Sequence, residues 1–341
     1  MTEPAELRVV VQVGRARYTQ LFDAETDARL RGMAEVAGPY GEDEARTLAP
    51  DVTRADVLWC PGGTRVPRSV LAESPRLRWI GDTSGGPPYL DYHHAAQRGI
   101  TITDCRRAFG PAVGEMALAL YLAVMRDVVA HDRALHTPDA EEGADKAFNQ
   151  EASGRTIGFV GLGGIARSLL HFLAPFEPKL LIHDPFLSED AIRAAGGEPA
   201  GLHDLLRRAD AVFLLAVPTS ENKALLGPAE LDLLRPESVL LVISRSWLVD
   251  EAALIERLRA GRFRAAMDTF DIEPLPTGHP YRSLPNVVLT PHRAGGTIES
   301  YRRIGRHLVE DLERFARGEL PASNAVVTFE AARLQGRLAD G

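Results

Sequence analysis

The chain is short of the residues that would commit it to an oxidising compartment, a polyanion or a bilayer. Cysteine occurs only as Cys60 and Cys105 in 341 residues, too few for a disulfide framework and too far apart for a CxxC redox or zinc motif. A reducing cytoplasm fits that usage. Lysine is nearly absent: Lys146, Lys179 and Lys223 are all there is among 39 basic residues, a bias that with the abundant alanine reads as coding preference rather than a binding patch. Against 47 acidic residues the formal net charge is −8, a field that repels polyanions and gives no general attraction to nucleic acid or anionic lipid. A small-molecule partner is expected instead. Long apolar runs are missing too. The longest, Met116 to Met125, is shorter than a bilayer requires, and the opening Met-Thr-Glu-Pro-Ala-Glu is acidic where a secretory leader is basic. No membrane role is expected. What remains, 45% hydrophobic and 25% charged residues, is ordinary globular composition, and at roughly 150 residues per domain the length predicts two domains with a cleft between them.

Apolar runs of strand length alternate with helical patterns along the whole chain, which predicts an α/β fold with parallel sheets. The first series of strand candidates is Arg8–Gly14, Ala55–Pro61, Leu77–Asp82 and Ile100–Asp104. A second comprises Thr156–Gly163, Lys179–Asp184, Ala211–Val217, Ser238–Ser244, Arg264–Phe270 and Val287–Thr290. Between them Gly110–Leu135 reads as one helix, apolar around most of its circumference and therefore buried between domains or against another subunit. Thr137–Asn149 is polar, acidic and aperiodic, a linker or long loop. Asp250 caps a helix that runs to Ala260 with Gly261 beyond, and Thr297 caps another through Phe315 to a stop at Gly318. In the latter, Ile298, Tyr301, Ile304, Leu308, Leu312 and Phe315 form the packing stripe.

The segment from Thr156 to Arg167 places Gly161, Gly163 and Ala166 in a GxGxxA pattern between an apolar strand and a helix. Gly161 permits a tight turn, Gly163 lets the backbone approach a pyrophosphate, and Ala166 lets helix and strand pack closely. The helix start at Gly164 and Ile165 supplies N–H donors and partial positive charge to phosphates. Glycines also serve plain turns, and Asp184 could be an ordinary strand-end residue. Asp184 nevertheless ends the next strand 23 residues after Gly161, where an acid accepts bonds from both ribose hydroxyls and repels a 2′-phosphate. No arginine directly follows it. The combination predicts a dinucleotide site that prefers NAD to NADP.

Three further strand ends carry chemistry: Arg245 after the fourth strand of this series, Glu273 after the fifth and His292 after the sixth. Singly, they could be a surface ion-pair residue, a cap before Pro274 and a loop histidine. Together, at the edge where open α/β sheets bind ligands, they suit hydride transfer at a 2-keto carbon, because a guanidinium stabilises the charge that builds on oxygen and an imidazolium quenches it. Ser244-Arg245-Ser246-Trp247-Leu248-Val249-Asp250-Glu251, Asp268 through Glu273-Pro274, and Thr290-Pro291-His292-Arg293-Ala294-Gly295-Gly296-Thr297 resemble, in order and spacing, motifs of the NAD-dependent D-isomer-specific 2-hydroxyacid dehydrogenase family. The likeness runs from Leu77 to the last helix.

The resemblance implies two Rossmann-like or flavodoxin-like domains. Residues 1–105 and 296–341 would form the substrate domain, with an NAD-binding domain of residues 106–295 inserted in it. It also implies that Arg245 binds the substrate carboxylate and polarises the keto oxygen, that His292 gives or takes the hydroxyl proton, and that Glu273 orients His292 and raises its pKa. Val217 and Pro218 would wall the adenosine, Asp268 would sit on the carboxamide side of the cofactor, and the N–H groups of Ser84, Gly85 and Gly86 would hold the substrate carboxylate. The helical region 110–135 resembles the family's dimerisation helix, so a homodimer is expected. Departures are Ser246 and Trp247 where glycine usually follows the arginine, and Gly164 where a long polar residue usually stands. No arginine precedes Thr64, although Arg65 follows it, which argues against 3-phosphoglycerate; Glu273, rather than an amide, argues against formate. The rival expectation is a catalytically silent NAD(H)-binding regulator of the same fold. The remaining histidines, among them His93, His94, His131 and His171, show no metal-ligand pattern and are expected in solvent.

Overall fold

The computed structural model describes residues 7–136 and 149–338. The acidic opening and all but the last residue of the expected linker lie outside them. The chain divides into two compact units, Met1–Phe109 with Thr297–Gly341, and Gly110–Gly296. The expected boundaries lay up to four residues earlier.

In the first unit a six-stranded sheet runs in the spatial order Ala325–Val326, Thr101–Asp104, Trp79–Asp82, Val57–Cys60, Leu7–Val11, Ala34–Ala37. Every neighbouring pair is parallel except the first. The five parallel strands follow the flavodoxin-like order. Val57–Cys60 and Trp79–Asp82 are buried throughout, as a parallel sheet covered on both faces requires. Successive side chains go to opposite faces: Trp59 and Trp79 pack with Leu21, Ile304, Leu308 and Leu312, whereas Leu58 and Ile80 pack with Leu71, Tyr92 and Ala332. The helix Ile298–Ala316, capped by the Thr297 side chain, supplies the expected stripe. Its first member departs, since Ile298 is half exposed. Two strands of this sheet, and the separate two-residue pair Arg65–Val66 and Tyr89–Leu90, escaped the sequence reading. Ala34–Ala37 is short and alanine-rich, and Ala325–Val326 is a two-residue antiparallel edge.

The second unit holds seven parallel strands in the order Glu198–Pro199, Lys179–His183, Thr156–Val160, Ala211–Leu214, Val239–Val242, Arg264–Met267, Val287–Leu289. In chain order this is 3-2-1-4-5-6-7, the doubly wound arrangement. It has a topological switch point between the strands Thr156–Val160 and Ala211–Leu214. Glu198–Pro199, also unforeseen, is a sheet edge, where proline's missing N–H costs no ladder bond.

The single helix expected over 110–135 is two, Gly110–Met125 and Val128–Leu135. Asp127 between them is left-handed at φ 50°, and Arg264 fixes the break by donating to the Val124 carbonyl at 2.7 Å and to Asp127 at 3.2 Å. The expectation about length also needs correcting. With the preceding 3-10 turn, Arg106–Met125 makes 20 helical residues, long and apolar enough to cross a bilayer, and more than half of the span is buried inside the protein, as in a core helix. His94 is a smaller exception: its Nε2 is out of solvent without a hydrogen-bond partner, while His93, His131 and His171 are exposed.

Candidate active site

At the switch point of the second unit, Gly161 follows the Thr156–Val160 strand with φ +96°. A Cβ there would lie 2.7 Å from the backbone of Ala216, so only glycine lets the two strand-end loops meet. Gly163 is the N-cap of the helix Gly164–Leu173, and no side chain caps that terminus. A Cβ on Gly163 or Gly164 would meet nothing within 4 Å. The loop thus presents backbone N–H groups and the positive end of a helix dipole to open space, which fits a pyrophosphate. Asp184 accepts from the Leu162 N–H at 2.9 Å and the Phe186 N–H at 3.0 Å, tying the neighbouring strand end to the glycine loop. A carboxylate has lone pairs left for ribose hydroxyls. Val217 stands exposed after the Ala211–Leu214 strand with Pro218 beside it, an apolar surface next to the crevice. The Trp247 indole reaches across from the arginine loop to donate to the Thr219 carbonyl at 3.2 Å and carries Lys223 over its ring.

Farther along the same edge, His292 Nδ1 lies 2.6 Å from Glu273 Oε2. The other Glu273 oxygen accepts from the Phe270 N–H at 3.0 Å, so the carboxylate is braced against its own turn while it orients the imidazole. Burial pushes the Glu273 carboxyl up, but the bond to His292, the Phe270 N–H and the charges of His292 and Arg245 outweigh it and hold the carboxyl below its ordinary value. The positive charge of Arg245 is the smallest of those lowering influences. Arg245 is exposed on its strand-end loop and also donates to the Ser244 carbonyl. Beside the pair opens a cavity of about 290 Å³ lined by Phe270, Glu273, Leu275, Leu289 and His292 among others.

His292 has φ 52°, a conformation that side chains other than glycine adopt only when their surroundings impose it. Asp268 is what imposes it. Fully enclosed, its carboxylate accepts from Thr290 Oγ1 at 2.6 Å, from the Arg293 N–H at 2.9 Å and from the Ala294 N–H at 3.0 Å, spanning the histidine on both sides. The structure thereby corrects the role expected for Asp268: it has no exposed surface to offer a carboxamide and serves as the anchor of the His292 loop.

The first unit brings a second correction. The N–H groups of Ser84, Gly85 and Gly86 each lie 2.8 Å from the carboxylate of Asp82, which also accepts from the Cys105 N–H and thiol. Asp82 is buried, and that burial pushes its carboxyl up despite the bonds it accepts. The three amides expected to grip a substrate carboxylate are turned onto an internal one. The sequence signal was present, an acid two residues before Ser84, because a short carboxylate satisfies the N–H groups two to four residues ahead of it.

The model of the D-isomer specific 2-hydroxyacid dehydrogenase NAD binding domain matches residues 118–294, the stretch that carries every one of these second-unit features. A glyoxylate reductase from Aeropyrum pernix is 30% identical over 84% of this chain and 88% of its own length. The chain belongs to the D-isomer specific 2-hydroxyacid dehydrogenase family. Its second unit is that family's NAD-binding domain, so a nicotinamide dinucleotide is the cofactor class. A D-3-phosphoglycerate dehydrogenase from Methanocaldococcus jannaschii is 30% identical over 86% of the chain, which spans only 55% of that relative's length. A crystal structure described as a phosphoglycerate oxidoreductase from Rhizobium etli superposes with TM-score 0.80 at 28% identity, covering 94% of this chain and 98% of that one. Dehydrogenases with two Rossmann-like units therefore share the fold.

Proposed function

We propose that the protein is an NAD(H)-dependent oxidoreductase that interconverts a small 2-keto acid and the D-2-hydroxy acid. The observation that carries this reading is the His292–Glu273 contact of 2.6 Å on a loop braced by Asp268, with the charge of Arg245 acting on the same carboxylate. The Gly161–Gly164 loop and Asp184 would hold the dinucleotide, which when bound supplies or accepts the hydride. Arg245 binds the carboxylate of the acid and draws charge from the keto oxygen. His292, with Nδ1 committed to Glu273, presents Nε2 as the proton donor in reduction and the acceptor in oxidation. Asp184 supports NAD over NADP, since a carboxylate at that strand end repels a 2′-phosphate. The two buried thiols Cys60 and Cys105 suit a cytoplasmic enzyme. Val128 and Leu135, exposed on a helix with no buried residue, support a homodimer through the 110–135 region.

The test is oxidation of NADH and NADPH with a panel of 2-keto acids that includes glyoxylate and hydroxypyruvate. Turnover with NADH that His292→Ala abolishes supports the reading. Tight NADH binding with no turnover on any keto acid overturns it in favour of a regulator. Light scattering should return twice the 37.1 kDa chain mass; a monomer removes the dimer.

A further inference from the structure

Arg245 sits on a loop whose residues 243–250 include no glycine, and a long guanidinium side chain is only as well placed as the backbone that carries it. Along residues 245–248 exposure alternates: Ser246 and Leu248 are buried, whereas Arg245 and Trp247 stay at the surface. Of the three tryptophans, Trp59 and Trp79 are fully enclosed and Trp247 alone is exposed. An indole is apolar over most of its area and has a single N–H to donate, so what that donor and the ring faces touch decides what such a residue does at the surface.

Its partners all lie in one segment, residues 217–224, which follows the neighbouring strand Ala211–Leu214. The indole Nε1 donates to the Thr219 carbonyl at 3.2 Å, the Trp247 carbonyl accepts from the Ala224 N–H at 2.9 Å, and the Lys223 ammonium stands 4.8 Å from the ring centre. That segment is stiffened from within, because the Asn222 side chain accepts from the Thr219 N–H at 2.7 Å and donates to the Val217 carbonyl at 2.9 Å. Ala224, where the segment meets Trp247, has φ 50°, a conformation that a residue with a Cβ keeps only when its surroundings over-determine it. On the other flank of Arg245 the Ser244 hydroxyl donates to the Leu214 carbonyl at 3.0 Å. Arg245 is thus bracketed. Side-chain donors one residue before it and two residues after it both end on carbonyls of the neighbouring strand and its loop.

We propose that Trp247 is a positioning residue for Arg245, fastening the arginine loop to the 217–224 segment and so holding the guanidinium where the carboxylate of the substrate meets it. A group that binds an anion does so more tightly when less of its freedom remains to be lost on binding, and the indole removes that freedom from the backbone on which the arginine stands. The assignment rests on the role of Arg245 proposed above; the fastening of the two loops does not.

The experiment uses the full chain. Trp247→Phe keeps the ring and loses the N–H, while the backbone bonds of Leu226 with Leu248 and Asp250 still hold the two segments side by side, so the variant folds. Its kcat/KM for the best keto acid should fall about tenfold through KM, with the dissociation constant for NADH, read by the cofactor's fluorescence, unchanged within about twofold. Arg245→Ala should remove the effect: in that background, adding Trp247→Phe should alter the residual kcat/KM by less than about twofold, as for a residue that acts through another. An effect that persists undiminished without Arg245, or that weakens NADH and keto acid alike, belongs to the fold as a whole and overturns the proposal, as does an unchanged kcat/KM. A second measurement needs no turnover. Phenylglyoxal modification of Arg245, read by peptide mass spectrometry against the exposed Arg46, should be at least about twofold faster in Trp247→Phe, because the loop that carries it is freer. If no keto acid is turned over and Arg245 is modified faster, the dehydrogenase reading falls and the positioning stands; equal modification then overturns both. If His292-dependent turnover is the same in Trp247→Phe as in the wild type, the positioning falls and the dehydrogenase reading stands.

Discussion

Two glycine-rich loops, Ser84–Gly86 in the first unit and Gly161–Gly164 in the second, leave the carboxyl ends of buried parallel strands and yet do opposite things with their amides. In the first, three N–H groups point inward to Asp82 at 2.8 Å. In the second, the helix start at Gly163 has no side-chain cap and faces open space. Glycine content alone therefore does not make an anion cradle. A carboxylate within a few residues turns the first loop into a self-satisfied structural element; in the second, the Gly161 and Leu162 N–H groups are bonded to the neighbouring strand end and the uncapped helix start is left to a ligand.

The largest expected effect lies at the neighbouring strand end, on the open side of the comparison. His292→Ala should lower kcat about a thousandfold, the range of a lost general acid, with NADH affinity by fluorescence unchanged. Gly161→Ala should weaken NADH binding by at least about tenfold and destabilise the fold by about 2 kcal/mol, because the new Cβ meets Ala216 backbone and the residue keeps a positive φ; normal binding would mean that the glycine loop does not hold the cofactor. On the closed side, Asp82→Ala leaves three amides without their acceptor and should cost about 3 kcal/mol in urea denaturation while leaving NADH affinity intact. A cost under about 0.5 kcal/mol would dissolve the contrast between the loops.

The smallest effect concerns pH. The folded Glu273 carboxyl is held below its ordinary value of 4.5, so its contribution to stability is complete above that value and is lost as pH falls through the lower, folded one. The carboxyl's own part of the difference in melting temperature between the wild type and Glu273→Gln should therefore shrink as pH falls below about 4.5. A difference that does not change across that acid range would mean that the folded carboxyl is not held below its ordinary value.

Much of this architecture was legible in the residue pattern, for local reasons. Every strand of the second unit longer than two residues is a largely apolar run followed within four residues by Gly, Pro, Asp or Ser, and the Asp250 and Thr297 caps form as read, because a cap needs only neighbours three residues away. The two-residue strands, such as Glu198–Pro199 and Ala325–Val326, left no periodicity to detect. The break at Asp127 was invisible because Arg264, which fixes it, is 137 residues distant.

The same division holds for the site. The sequence by itself determined the α/β class, the glycine loop, and the presence of an arginine, a glutamate and a histidine at three successive strand ends, since periodicity and turn chemistry are local. Only the tertiary structure decided what each polar group is bonded to. Asp268 was drawn into the interior to fix the His292 loop, and Asp82 was turned onto the amides ahead of it. Arg337 was carried from the far end of the chain to the Gly62 loop. Buried hydrogen bonds must be satisfied wherever a partner exists, and which partner is near depends on how distant segments pack.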